Sequence, residues 1–84
     1  GMKDKEEVLA IIKKVGVGLR DTNYPMLWFE VSFLGGESLI CISWSEAADI
    51  IISNDISDTQ NLKGASCVLS IKNNTVRFVK LFKP

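Results

Sequence analysis

Residues 26–43 read M-L-W-F-E-V-S-F-L-G-G-E-S-L-I-C-I-S and decide the fold, because two apolar runs flank a pair of glycines. A two-residue hairpin turn of type I′ requires positive φ at both central residues, which glycine adopts without a steric penalty. We therefore place a turn at Gly35-Gly36 and count the register outwards from it. One face of this hairpin is almost wholly apolar and the other is mixed, as expected of a half-buried antiparallel pair. The predicted pairs are Leu34–Glu37, Phe33–Ser38, Ser32–Leu39, Val31–Ile40, Glu30–Cys41, Phe29–Ile42, Trp28–Ser43 and Leu27–Trp44.

The composition is that of one small globular domain spanning residues 1–84. The chain is 46% hydrophobic and 24% charged, and 84 residues are too few to build two cores. No apolar run approaches the length of about 18–20 residues that crosses a membrane as a helix. Cys41 and Cys67 fall on predicted strands, so we expect buried free thiols in a cytoplasmic protein rather than a disulfide framework.

The first twenty residues fit two patterns. An Asp-x-x-Glu spacing near the start is typical of a helix cap, whereas the apolar residues that follow alternate and are interrupted by two glycines. We predict a helical or frayed turn near residues 4–9, followed by a bent strand from about Ala10 to Arg20 in which the glycines mark a bulge or a sharp bend. The alternative is a helix over 4–15 followed by a short strand over 17–20.

A helix is predicted after the first hairpin. Ser43 and Glu46 have capping-box spacing, and an acid in the first turn suits the positive end of the helix dipole. The predicted helix covers residues 44–53, and Ile56 and Leu62 of the loop beyond it are expected to reach the core. The predicted inward stripe of the helix consists of Trp44, Ala47, Ala48, Ile51 and Ile52.

The last part of the chain predicts a second hairpin. Residues 66–72 alternate, Asn73-Asn74 tolerates positive φ, and residues 75–82 form the return strand. The predicted pairs are Lys72–Thr75, Ile71–Val76, Ser70–Arg77, Leu69–Phe78, Val68–Val79, Cys67–Lys80 and Ser66–Leu81.

The predicted order of elements is therefore β-β-β-α-β-β, which makes an α+β protein. Five strands cannot bury one face under a single ten-residue helix unless the sheet curls, so we predict a small curved antiparallel five-stranded sheet or barrel. With its helix around residues 44–53, this order resembles the OB-fold. An open α+β roll is the alternative.

The residue types present argue against an enzyme. The chain has no histidine, which removes the commonest general base, the histidine-dependent nucleophilic triads and most zinc sites. Neither phosphate-binding glycine motif is present, and a carboxylate at Glu30 beside a thiol at Cys41 would oppose thiolate formation. We therefore predict a protein without catalytic residues, metal or cofactor.

Charge and aromatic residues point to nucleic acid as a partner. Residues 21–58 hold seven acids and no base, whereas residues 59–84 hold five bases and no acid. Proteins that bind single strands combine basic side chains with exposed aromatic rings on which bases stack. The candidate residues for binding single-stranded nucleic acid are Tyr24, Trp28, Arg77, Lys80 and Lys83.

A protein-interaction or homo-oligomeric module is the alternative function. A five-stranded sheet in so short a chain readily leaves an edge, and the second hairpin is apolar on both faces near Val68 and Val79. Such strands favour strand addition or a symmetric dimer. A zero net charge also disfavours a protein devoted to coating DNA, since phosphate neutralisation supplies most non-specific affinity.

Two segments of the chain resemble small uncharacterised bacterial proteins encoded by phages and prophages. The first is N-L-K-G-A-S-C-V-L-S-I-K-N-N-T-V-R-F-V at residues 61–79, with an L-x-G-x-x-C motif before a strand and R-F after a turn. The second is G-L-R-D-T-N-Y-P-M-L-W-F at residues 18–29, which is similar to their first hairpin. The resemblance implies a phage or mobile-element context and assigns no catalytic residues.

Overall fold

The architecture is an α+β fold in which five antiparallel strands form one curled sheet, as predicted. A computed structural model describes residues 5–82. A short 3₁₀ helix at Thr59–Leu62 interrupts the connection between the α-helix and the fourth strand. The main elements, in chain order, are β1 (Lys5–Gly18), β2 (Met26–Phe33), β3 (Gly36–Ile42), α1 (Trp44–Ser53), β4 (Ser66–Lys72) and β5 (Thr75–Leu81).

The sheet has the strand order β3-β2-β1-β4-β5, so the long strand β1 lies at its centre. The first half of β1 pairs with β4 and its second half pairs with β2, with a bulge between Ile12 and Lys14. Curling brings the two edge strands, β3 and β5, close to each other without hydrogen bonds between them in the described chain. Since every neighbouring pair is antiparallel, β3 and β5 run parallel across this gap, which we call the seam.

The helical turn expected near residues 4–9 is wrong for the described part, because residues 5–9 already belong to β1. The helix over 4–15 considered as the alternative is wrong for the same reason. Ala10 and Ile12 are buried while Leu9 and Ile11 are exposed, which is the alternation of a half-buried strand. Pairing with β4 provides backbone partners along the strand, and this tertiary pairing outweighs the local preference of a capping-box spacing. Asp4 lies outside the described residues.

The first hairpin forms where predicted, but its register is displaced by two residues. Phe33 pairs with Gly36, and Phe29 pairs with Ile40 instead of Ile42, so the turn residues are Leu34-Gly35. Of the two glycines only Gly35 has positive φ, at 107°, which is the pattern of a turn that needs this conformation at its second central position. A shift of two residues leaves every side chain on its predicted face.

The second hairpin has the predicted turn, in which Asn73 and Asn74 both adopt positive φ, at 52° and 66°. The four pairs from Lys72–Thr75 to Leu69–Phe78 are confirmed. Beyond Leu69 a bulge shifts the register, so the predicted partners of Val68, Cys67 and Ser66 are wrong. Without the bulge Lys80 would face the fully buried Cys67; with it, Leu81 takes that position and packs against the core.

The core fills the inside of the curled sheet. Phe29 is completely buried and meets Phe78 of β5 edge to face, with ring centroids 5.7 Å apart. Leu62 is also buried and Ile56 packs against the core, as predicted for this loop. The fully buried side chains of largest volume are Phe29, Ile12, Leu27, Ile42, Leu62, Leu69, Val31 and Cys67.

The helix α1 spans the predicted residues, and the Ser43 hydroxyl accepts a hydrogen bond from the Glu46 backbone N–H at 3.4 Å. Its predicted inward stripe is largely wrong. Ala47 and Ile50 are buried, whereas Trp44, Ala48 and Ile52 are exposed. Helix side chains tilt towards the N-terminus, and no turn precedes Trp44 to hold its ring against the sheet.

Candidate nucleic-acid interface

Trp28 lies on the outer face of the sheet and is half-buried. The Arg20 guanidinium carbon stands 4.5 Å from the centroid of the Trp28 ring, a cation–π arrangement. Arg20 Nη2 also forms an ion pair with Glu30 Oε2 at 2.6 Å, so the guanidinium is held by two partners. The cation therefore covers part of the ring surface on which a base would stack.

Gly16 provides the space for this ring. It is the cross-strand partner of Trp28 on β1, and a Cβ at position 16 would overlap Cζ2 and Cε2 of the indole. The glycine that sequence reasoning assigned to a bulge thus permits the close approach of an aromatic side chain. Its role follows from the β1–β2 register, which the sequence pattern alone does not specify.

Cys41 completes this cluster from β3. It pairs with Trp28, not with Glu30 as predicted, and its Sγ donates a hydrogen bond to the Arg20 backbone oxygen at 3.4 Å. The bond fixes the β1–β2 loop over the outer face. We call the set Arg20, Trp28, Glu30 and Cys41 the aromatic face.

Two further aromatic side chains lie at the end of the sheet where β2 begins and β3 ends. Tyr24 in the β1–β2 loop is 61% exposed, and its backbone oxygen accepts a hydrogen bond of 2.7 Å from Thr22 Oγ1. Trp44 at the start of α1 is 51% exposed, so it joins the candidate site that sequence reasoning had left without it. Its position as the first residue of a capped helix could have indicated this exposure, because a side chain in the first turn has no preceding turn of the helix beside it.

Arg77 reaches the same region across the seam. A groove of about 290 Å³ lies between β3 and β5, and both Cys41 and Arg77 line it. Because Cys41 is the neighbour of Trp28, the exposed Arg77 flanks the groove on the side opposite the aromatic face. The structure therefore places Arg77 across the seam from Cys41, the strand neighbour of Trp28, while Tyr24 lies in the loop before β2.

Lys80 has different surroundings. It lines a groove of about 280 Å³ with Glu46 and Asp49 of α1, whose charges oppose its own. It therefore offers less positive potential to an anion than Arg77 does. Lys83, the last candidate residue, lies outside the described residues.

The two thiols differ in burial. Cys41 is half-buried, whereas Cys67 is fully buried and the loss of solvation raises its pKa to about 11. A thiol in that state is a poor nucleophile at neutral pH. Over residues 5–82, no group of three or more cysteine, aspartate or glutamate side chains is arranged to hold a metal ion.

Comparisons with known proteins give no relative for this chain: no family model, curated protein or solved structure matches it. Within the described range, no helix has both the length and the apolar character needed to cross a membrane.

Proposed function

We propose that this protein is a non-enzymatic binding domain for single-stranded nucleic acid. Bases stack at the end of the sheet where Tyr24 and Trp28 lie, and Arg77 provides positive charge across the seam. The observation that carries the proposal is the aromatic face itself, in which an arginine is already stacked on an outward tryptophan. Proteins that bind single strands use the same combination of aromatic and arginine side chains.

The strand arrangement supports this choice of surface. In OB-folds, the face of the second and third strands and the loops beside it bind oligonucleotides and oligosaccharides. Trp28 and Cys41 lie on the corresponding face here, and Tyr24 belongs to the first of those loops. This correspondence is a fold-level analogy, and the aromatic side chains present at that place strengthen it.

Arg20 gives the proposal a specific mechanism. Its side chain is 40% exposed, so solvent already competes for the guanidinium. An incoming base takes its place on the Trp28 ring, and the guanidinium turns to a phosphate oxygen, where it forms a stronger charge-assisted hydrogen bond. When the nucleic-acid strand dissociates, the ion pair with Glu30 draws the Arg20 guanidinium back over the Trp28 ring.

A fluorescence titration tests the proposal. Trp44→Phe leaves Trp28 as the only tryptophan, and a thymidine oligomer is added at low salt. We expect quenching that saturates at tens of micromolar or below, and an affinity that falls steeply with added salt. Trp28→Leu in the otherwise unchanged chain removes the stacking surface and should weaken binding, whereas Trp28→Phe should retain most of it. An unchanged spectrum and no binding at tens of micromolar would contradict the proposal.

A protein-interaction or homo-oligomeric module is the second candidate. It is favoured by Leu9 and Ile11 on the outer face of β1, which are 58% and 42% exposed, and Leu9 lies beside Val68 of β4. An apolar strip of this kind on a sheet is a typical subunit contact. Sedimentation of the protein and of Leu9→Lys distinguishes the two: a dimer that the substitution dissociates, with no response to the oligonucleotide, supports this candidate.

The setting we propose follows from the resemblance of residues 18–29 and 61–79 to phage and prophage proteins. A small domain that holds single strands suits the replication or regulation of a mobile element. The free thiols Cys41 and Cys67 suit the reducing cytoplasm.

A further inference from the structure

A third groove, of about 360 Å³, lies on the outer face where β1, β4 and β5 meet. Three cations and no acid line it, which distinguishes it from the groove at the seam and from the groove beside α1. We call it the basic groove. Its lining residues are Lys5, Ser70, Lys72, Asn73, Thr75 and Arg77.

Strand pairing brings these residues together from both ends of the chain. Lys5 of β1 pairs with Lys72 of β4, and Lys72 pairs with Thr75 of β5, which forms one row across the sheet. Ser70 and Arg77 form the next row on the same face, since side chains two residues apart point to one side of a strand. Neighbouring strands are about 4.8 Å apart, so the ends of these long side chains converge on a small volume.

The three cations have no acidic partner within the described range. The ion pair found between residues 5 and 82 is Arg20–Glu30, on the β1–β2 half of the outer face and away from β4 and β5. Among the paired residues of β1 and β4 on this face, the acid nearest to these cations is Glu7, which lies opposite Ser70. It makes no ion pair with the two lysines or with Arg77. All three cations are exposed, so they are free to turn towards a ligand.

This arrangement is unfavourable for the empty protein. Like charges directly opposite each other on neighbouring strands destabilise a sheet, and Lys5 and Lys72 are such a pair. An anion between them would convert repulsion into attraction. Placing three cations together without an acid is therefore more consistent with a binding role than with a structural one.

We propose that the basic groove binds a phosphate group. Arg77 offers a planar fork that matches two phosphate oxygens, and the two ammonium groups provide point charges. The hydroxyls of Ser70 and Thr75 are additional donors at the floor and the edge of the groove. The phosphate is either a diester of a bound nucleic-acid strand, which rests on the proposed function, or a free phosphate.

A titration with inorganic phosphate, followed by amide chemical shifts of ¹⁵N-labelled protein, tests the site itself. Sodium chloride at equal ionic strength is the reference, because it provides the same screening. We expect saturable shifts concentrated at residues 70–77. In Lys72→Gln the phosphate affinity read from these shifts should fall about five- to tenfold, because one of the three charges that hold the anion is removed. Lys63→Gln, an exposed loop substitution, is the matched control and should leave them unchanged.

A titration with the thymidine oligomer separates the two sources of phosphate. If the nucleic-acid strand supplies the phosphate, Lys5→Gln and Lys72→Gln should each weaken oligonucleotide binding. Each should also reduce the slope of log affinity against log salt concentration by about 0.7, the value for one phosphate contact on a single strand. Phosphate binding without oligonucleotide binding would assign the groove to free phosphate and would refute the proposed function alone. Diffuse shifts identical to those in chloride would overturn the phosphate site, even if the oligonucleotide binds through the aromatic face.

Discussion

The aromatic face and the basic groove lie on the same outer surface, and they differ in how their charges are balanced. In the aromatic face, Arg20 is held by Glu30 and Trp28 and is tied to β3 through Cys41. In the basic groove, three cations face one another with no acidic partner in the described part of the chain. The charges of the first set balance one another and hold a ring in place, whereas the second set has an uncompensated positive charge. In our proposals, stacking and charge recognition are thus divided between two regions.

Both regions rest on one core, and removing its central ring should have the largest effect. Phe29→Ala deletes a completely buried side chain and its edge-to-face contact with Phe78. We expect a loss of about 3–5 kcal/mol in the free energy of unfolding, measured by urea denaturation. Leu34→Ala is the control, since Leu34 is 98% exposed at the hairpin tip and should change stability little. A loss below about 1 kcal/mol for Phe29→Ala would show that the core is not centred on this ring.

The aromatic face alone can be disturbed through Gly16. A Cβ there overlaps the Trp28 ring, so Gly16→Ala should displace the indole from Arg20 and cost about 1–3 kcal/mol through overpacking. The measurement is urea denaturation together with tryptophan emission in the Trp44→Phe background. Gly36→Ala is the matched control, because its Cβ would meet only Phe33 at ordinary contact distances of 3.8 and 3.9 Å. Equal effects of the two substitutions would contradict the close packing of Trp28 on β1.

The thiols provide a comparison between the aromatic face and the core. Burial raises the pKa of Cys67 to about 11 from an ordinary value of 9.0, so the folded state holds this proton more tightly than the unfolded state does. The resulting stability is complete below about pH 9 and is lost as the pH rises towards 11. Denaturation midpoints at pH 8 and pH 10 should therefore differ more for the parent chain than for Cys67→Ala.

Thiol labelling provides an independent check of this difference. Cys41 is half-buried on the outer face and should react with a thiol reagent in the native protein at pH 8, whereas Cys67 should react only after unfolding. Cys41→Ser identifies which thiol is labelled. Rapid labelling of Cys67 in the folded protein would refute its placement in the core.

The smallest expected effect concerns the basic groove. Lys5→Gln relieves the repulsion from Lys72 and should stabilise the protein by about 0.2–1 kcal/mol at low salt, with the gain disappearing as salt is added. Lys63→Gln is again the control, since Lys63 lies in a loop. Differential calorimetry at two ionic strengths measures the change, and a loss of stability on neutralising Lys5 would contradict the repulsion.

The order of elements and both hairpins could be predicted because they depend on local signals. Asn73-Asn74 specifies its turn strongly, since both residues must take positive φ and no neighbouring residue substitutes for them. Gly35-Gly36 is ambiguous because glycine is accepted both in the turn and in the strand beside it. Two registers that differ by two residues have the same buried face, so alternation does not distinguish them.

The candidate site was predictable only in part. Alternation correctly places Trp28 on the mixed outer face, and Tyr24 follows from its loop. The contacts of Arg20 and Gly16 depend on the β1–β2 register across a bulge, which no local pattern determines. The basic groove was missed because its Lys5 belongs to a segment whose capping-box spacing suggested a helical turn.

The central position of β1 also has a consequence for the order of folding. The two hairpins join residues that are close in sequence, and such hairpins form within about 1–10 μs. By contrast, β1 pairs with β4, and this pairing joins residues that are far apart in the sequence, such as Lys5 and Lys72. Closing so long a loop carries an entropic cost that is repaid only when the pairing is complete, so this step should limit the folding rate. A chain in which only the first hairpin has docked would therefore expose one unpaired side of its longest strand until β4 arrives.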